Sequence, residues 1–157
     1  MRVPGTYDRG MTVIVKEAAL ADLDSPTLYA ILKLRVDVFI VEQQSAYPDL
    51  DGLDAASDTL LVWAEDEQGH VLATIRVLGL GSPVQRIGRV ATAADARGRG
   101  LAAVLMRRGL ELTADADTVL LGAQSHLEGW YGRFGFALDG EPYDEDGIPH
   151  IPMSLKR

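Results

Sequence analysis

Arg86-Ile87-Gly88-Arg89-Val90-Ala91-Thr92, running on to Arg97-Gly98-Arg99-Gly100-Leu101-Ala102, is the stretch whose reading decides the fold. Its first half mixes apolar and β-branched residues with polar ones, as a strand does. Its second half is a turn punctuated by two glycines. Beyond the turn, Leu101, Val104, Leu105 and Leu112 recur at helical spacing. A strand that feeds a helix through such a turn leaves free backbone N–H groups at the positive end of a helix dipole, which favours phosphate. The arrangement expected of the chain is therefore one built around a phosphate-bearing ligand at this turn.

Upstream, Leu60–Glu65 and Val71–Leu78 flank the turn Asp66-Glu67-Gln68-Gly69 and predict a hairpin. The short loop Gly79–Pro83 then makes Arg86–Ala93 antiparallel to its predecessor. Downstream, a helix from Arg99 to Ala114 separates that strand from Val119–Ala123, so these two strands are expected to be parallel neighbours. Leu127–Phe134 reads as a short helix ended by Gly135, followed by a strand over Phe136–Asp139. After an acidic loop at 140–147, His150–Leu155 is the last strand, and Pro149 and Pro152 place it at an edge. Such an edge would suit a homodimer, although a monomer is equally compatible.

Towards the N-terminus, residues 1–11 read as frayed and Thr12–Lys16 as a strand. Ser25-Pro26 supplies an N-cap and a first-turn proline for a helix over Thr27–Val41. Leu28, Ile31, Leu32, Val36 and Phe39 share one face of that helix with Arg35. A buried arginine needs a partner, and Glu42, two turns on, is the candidate; its other reading is a carboxylate facing a substrate cleft. Residues 43–58 form a long irregular loop of the kind that carries function. Its acids are expected to line a cleft mouth or to be solvated. Asp49-Leu50-Asp51-Gly52 alternates acids but lacks the EF-hand spacing, so no metal is expected. The sum is a single α/β (α+β) domain over 1–157, a mixed, mostly antiparallel sheet with helices on its faces.

Composition narrows the function classes. Cysteine is absent, which excludes disulfides, thiol ligands and an acyl-cysteine route. No apolar run approaches a membrane span and no signal-peptide core is visible, so a cytoplasmic location and no membrane partner are expected. The net charge of −8 argues against nucleic acid and favours a cationic small molecule. Against that background Arg86, Arg89, Arg97, Arg99, Arg107 and Arg108 cluster around the opening stretch, while acids crowd 42–67 and 139–146. That pattern suits a local anion site in an acidic protein.

The glycine turn fits two rules. Gly98-Arg99-Gly100-Leu101-Ala102-Ala103 matches the dinucleotide fingerprint G-x-G-x-x-A. Arg97, Gly100 and Ala102 also match [Q/R]-x-x-G-x-[G/A]. Against the first stands the second strand's end, Gln124-Ser125-His126, which offers no acid for a ribose hydroxyl. The second rule resembles the acetyl-CoA signature of the GNAT N-acetyltransferase superfamily, and the expected strand order resembles the GNAT fold across nearly the whole chain. Leu32–Gln43, Tyr47-Pro48-Asp49-Leu50-Asp51-Gly52 and Asp146-Gly147-Ile148-Pro149-His150-Ile151-Pro152-Met153 resemble its ElaA-type branch.

The resemblance implies a sheet splayed between its fourth and fifth strands and acetyl-CoA as co-substrate. It implies pyrophosphate on the backbone from Gly98 through Arg99, Gly100 and Leu101 to Ala102, with Arg97 at its start. It further implies a pantetheine arm along Val90 and Thr92, and an N–H at Val90 or Ala91 polarising the thioester carbonyl. Tyr131, within Trp130-Tyr131-Gly132-Arg133-Phe134-Gly135-Phe136, resembles the family's Tyr-x-x-x-Gly-Phe element and its thiolate-protonating hydroxyl. Arg133 is placed towards the 3′-phosphate. Glu42, His126 and, ranked lower, His150 are the candidate bases. The function so implied is direct acetyl transfer, in a ternary complex, to a primary amine on a small molecule or a protein lysine. A non-catalytic acyl-CoA sensor or scaffold and a dinucleotide-binding domain are the alternatives.

Overall fold

The computed structural model describes the backbone of residues 3–7 and 11–157. Among them, nine strands form one sheet. They are β1 (Val3–Tyr7), β2 (Met11–Ala18), β3 (Leu60–Glu65), β4 (Val71–Leu78), β5 (Val84–Thr92), β6 (Thr118–Gln124), β7 (Ala137–Leu138), β8 (Tyr143–Glu145) and β9 (Ile148–Lys156). The sheet runs β1-β2-β3-β4-β5-β6-β9-β7, with β8 also on β9. Every pairing is antiparallel except β5 with β6. That exception has the cause expected from the sequence: α2 (Leu101–Leu112) intervenes between the two strands.

α2 covers one face. Leu101, Leu105 and Met106 pack there with Ile75, Ile87, Val119, Leu121, Ile151 and Met153 in the main core. Gly109 sits where α2 comes closest to the sheet: a Cβ there would lie 3.0 Å from the Cδ1 atoms of both Ile75 and Ile87. The glycine costs about 1 kcal/mol of helix propensity, and the close approach is what it permits. On the other face lies α1 (Ser25–Val36), whose Leu34 and Val38, one turn beyond, pack on Ala91 with Phe39 and Val71. α1 continues as a π-helical turn over Asp37–Glu42. A short helix, α3 (Glu128–Gly132), follows β6, and Gly135 beyond it has φ of +96°.

Several expectations are corrected. Val3–Tyr7 pairs with β2, within the stretch read as frayed; residues 1–2 and 8–10 lie outside the described residues. The cap of α1 is Asp24, whose carboxylate accepts from Thr27 N at 2.8 Å, so Ser25 is the first helical residue. The acidic loop 140–147 contains β8, which folds back on β9 through Asp146-Gly147, at φ +50° and +87°. β9 is therefore not an edge: β6 flanks it on one side and β7 and β8 on the other. Pro152 is tolerated because its carbonyl accepts from Asp139 N, just past β7, and a residue's N faces the same side as its C=O. The missing N–H falls in the gap between β7 and β8. The edge at 149–155 that would have suited a homodimer is therefore covered by β7 and β8.

Candidate active site

β5 and β6 begin as a ladder and then part. Val84, Gln85 and Arg86 pair with Thr118, Val119 and Leu120; beyond them β5 runs to Thr92 and β6 to Gln124 unpaired with each other. A cavity of about 850 Å³ occupies the opening. It is lined from β5 by Arg86 through Thr92, from the glycine turn by Arg97, Gly98 and Gly100, and from β6 and beyond by Gly122, Gln124, His126 and Tyr131. Two strands that diverge leave backbone N–H and C=O groups without a strand neighbour, a geometry that an extended amide-bearing chain can pair with.

One end of the cavity is the start of α2. Gly98 and Gly100 adopt φ of +76° and +75°, a region that side chains avoid. No side chain caps α2, and Leu101, Ala102 and Ala103 line the cavity beside Gly100. A helix of this length with its first N–H groups uncapped and facing a cavity fits a phosphate group. Arg97 is beside it, but it is engaged: both Nη atoms donate to the Glu42 carboxylate at 2.6 Å and Nε donates to Thr92 O. That hydrogen bonding, with the guanidinium charge, holds the Glu42 carboxyl below the usual carboxylate range. Arg99 and Arg133 do not line the cavity; Arg99 Nη2 donates to Asp95 O at 3.1 Å.

The middle of the cavity is a β-bulge. Arg76 of β4 faces Gly88 and Thr74 faces Ala91, so β5 carries one extra residue over Arg89–Val90. Arg89 takes φ of +52°, which a bulky side chain adopts only when held there. What holds it is a charge network. Arg89 Nε lies 2.9 Å from Asp49 Oδ1, Arg89 Nη2 lies 3.0 Å from Asp51 Oδ2, its Nη1 donates to the Tyr47 hydroxyl, and its guanidinium stands 4.8 Å from the Tyr47 ring centre. Asp49 also holds Arg35, together with Asp54. Arg35 Nε donates to Asp49 Oδ2 at 3.0 Å and its Nη1 to Asp54 Oδ1 at 2.6 Å, with the side chain 1% exposed. The partner of Arg35 is thus the pair Asp49 and Asp54, not Glu42. Arg76 completes the network on Asp51 at 2.8 and 3.0 Å. Asp49 and Asp54 are therefore buried ion-pair partners and neither line the cleft mouth nor stand in solvent.

Beyond the bulge, side chains converge from α3 and β8–β9. Tyr131 lines the cavity and is otherwise buried at 6% exposure; burial pushes its hydroxyl up to about 12. His126 lines the cavity and is exposed. His150 is far more firmly held. Its Nδ1 lies 2.8 Å from Ile148 O, its Nε2 lies 3.3 Å from Glu145 Oε2, and its ring stacks on Tyr143 at 5.5 Å. The Tyr143 hydroxyl lies over Gly122, where a Cβ would collide with it. Tyr143, Glu145 and Arg86 were not among the expected site residues. The available signal was Asp146-Gly147, the dipeptide of a two-residue hairpin turn, which brings Tyr143 and Glu145 back beside His150. Among the described residues no cluster of three or more metal-ligating side chains occurs, and no helix is long and apolar enough to cross a membrane.

Comparison with known proteins agrees with this geometry. Residues 33–157 match the family model of the acetyltransferase (GNAT) domain. Protein ElaA of Escherichia coli is 40% identical over 141 residues, covering 85% of this chain and 90% of that protein. A UPF0039 protein of Mycobacterium tuberculosis is 41% identical over 146 residues, 91% of this chain and 93% of its own. Among solved structures, an acyl-CoA N-acyltransferase from Pseudomonas aeruginosa superposes with a TM-score of 0.85 at 40% identity, covering 91% of this chain and 99% of that one. The crystal structure of E. coli ElaA superposes with a TM-score of 0.84 at 35% identity, over 92% and 99% of the two chains.

Proposed function

This chain belongs to the GNAT acetyltransferase family, in its ElaA-type branch, and from that premise we propose that it transfers the acetyl group of acetyl-CoA to a primary amine by direct attack. The observation that carries the reading is one continuous cavity. It joins the uncapped start of α2, the unpaired run of β5 and the buried Tyr131 hydroxyl.

In this reading the pyrophosphate rests on the N–H groups at Gly100–Ala102, and the pantetheine amides take the place of a strand against Val90 and Thr92. The bulge presents an N–H at Val90 or Ala91 towards the thioester carbonyl, stabilising the oxyanion as the amine adds. The new C–N bond forms, the C–S bond breaks, and the leaving thiolate takes a proton from Tyr131. A phenol held near 12 stays protonated throughout the neutral range, which suits it to donate rather than accept. The proton released by the attacking nitrogen passes to the Glu145–His150 pair. Glu42 serves less well, because its bond to Arg97 makes it a weaker base.

The test is a thermal shift followed by thiol release. Acetyl-CoA is expected to raise the Tm where NAD(H) does not. Tyr131→Phe is expected to keep that shift while lowering thiol release with a competent amine on the order of 10²-fold or more. Stabilisation by NAD(H) alone, or an unchanged rate in the variant, contradicts the reading.

A further inference from the structure

We infer that the acceptor is an amine that also carries a carboxylate, an amino acid or a compound of that class, with its carboxylate held by Arg86. The inference rests on the acetyl-transfer reading above and adds the acceptor's chemistry.

Strand alternation and register place Arg86 and Gly88 of β5 on the sheet face away from α2, since Gln85 and Ile87 between them are buried. Leu78 and Arg76 of β4 lie beside them on that face. Leu120, Gly122 and Gln124 of β6 continue it, and His150 pairs with Gln124. Tyr143 lies across this face over Gly122. The acceptor wall of the cavity is therefore a defined set of side chains.

The charges on that wall are uneven. Asp49, Asp51 and Asp54 are already matched by Arg35, Arg76 and Arg89, and Glu42 is matched by Arg97. Arg86 is different. It lines the cavity, and among the described residues it has no hydrogen-bond acceptor and no carboxylate partner. Its charge is felt at the Tyr143 hydroxyl, which it pulls downward against the effect of burial. Arg76, which also lines the cavity, is 4% exposed and both its Nη atoms are held by Asp51. Arg86, exposed where the cavity meets solvent, is thus the guanidinium with reachable, uncommitted donors on this wall of a protein whose net charge is −8. An unpaired guanidinium in a cavity is a planar fork for a carboxylate.

Arg86 does not belong to the pyrophosphate end. It precedes Thr92 by six residues, about 20 Å along an extended strand. Across the wall from it, Glu145 is half-exposed beside His150, a carboxylate placed for the ammonium form of an arriving amine. A cation subsite and an anion subsite in one acceptor cavity describe a zwitterionic acceptor, whereas a diamine would leave Arg86 opposed by positive charge.

The experiment measures kcat/KM for thiol release with free amino acids, the amides of the same amino acids, aliphatic diamines and phosphoethanolamine. The wild type is expected to prefer at least one amino acid over its own amide by 10-fold or more. Arg86→Leu is expected to bring that ratio below about 2 by raising KM for the acid alone, and Arg86→Lys to restore part of it. The acetyl-CoA thermal shift is expected to be the same in all three proteins. Amides or diamines used as well as the acids, phosphoethanolamine used best, or an undiminished preference in Arg86→Leu overturns the assignment. So does a protein that binds acetyl-CoA but turns over no carboxylate-bearing amine. Loss of the acetyl-CoA shift itself would instead strike the acetyl-transfer reading.

Discussion

Asp51 shows how single residues here are set by their neighbours. It accepts from both Nη atoms of Arg76, from Arg89 Nη2 and from Leu53 N. Burial pushes its carboxyl up, but the Arg76 and Leu53 hydrogen bonds and the two guanidinium charges outweigh burial and bring it to about 2. A folded value below the unfolded one means that the contribution to stability is complete above the ordinary carboxylate value near 4. It is lost as pH falls through about 2. The urea midpoint of the wild type is therefore expected to fall between pH 4 and 2, and Asp51→Asn to be less stable at pH 7 with a shallower fall across that window. Equal slopes in the two proteins would count against Asp51. Gly98, Gly100 and Tyr131 stand out in the sequence because each belongs to a short local pattern, and all three line the cavity. The partners of Arg35 were not, since Asp49 and Asp54 lie 14 and 19 residues on, across an irregular loop that no periodicity registers.

At the scale of elements, residues 43–58 act as a strut between α1 and the β5 bulge. Asp49 touches Arg35 on one side and Arg89 on the other, and Ser45 Oγ donates to Asp146 O, tying the same segment to the β8–β9 turn. Arg35→Leu would take the shared guanidinium from two buried carboxylates, leaving Asp49 with Arg89 and Asp54 with Arg76 at 3.5 Å. We expect it to cost about 3–5 kcal/mol in urea unfolding, the range for breaking a buried pair by removing one partner. A cost below about 1 kcal/mol would mean that the strut is not held by charge. The main hairpin and the β5-α2-β6 unit could be read from sequence because their periodicity and turn residues agree with the final pairing. The strand β9 could also be read, but its place inside the sheet could not, because its prolines argue for an edge; Pro149 lies beyond the β6 pairing, and Pro152 falls at the tertiary gap between β7 and β8. β8 is not visible for a different reason: a run of acids over 140–147 reads as loop, and it is the Asp146-Gly147 turn that folds part of it back on β9.

Across the whole molecule, the sheet does one thing that an ordinary mixed sheet avoids: it opens between two central strands. β5 stays registered with β4 through the bulge, and β6 stays registered with β9 along its full length, so neither strand loses its other neighbour. α2 and its core cover one face, and the continuation of α1, the strut and β8 line the cavity on the other. The fold class and the existence of the splay followed from the sequence through its family resemblance, whereas the charge pattern of the cavity wall needed the register of four strands. The central claim is that acetyl-CoA lies in this opening. Amide hydrogen exchange with and without acetyl-CoA tests it most directly. The account predicts slowed exchange at Gly88–Thr92 and at Leu101–Ala103, with β2 and β3 unchanged; slowing that spares both of those segments would contradict it.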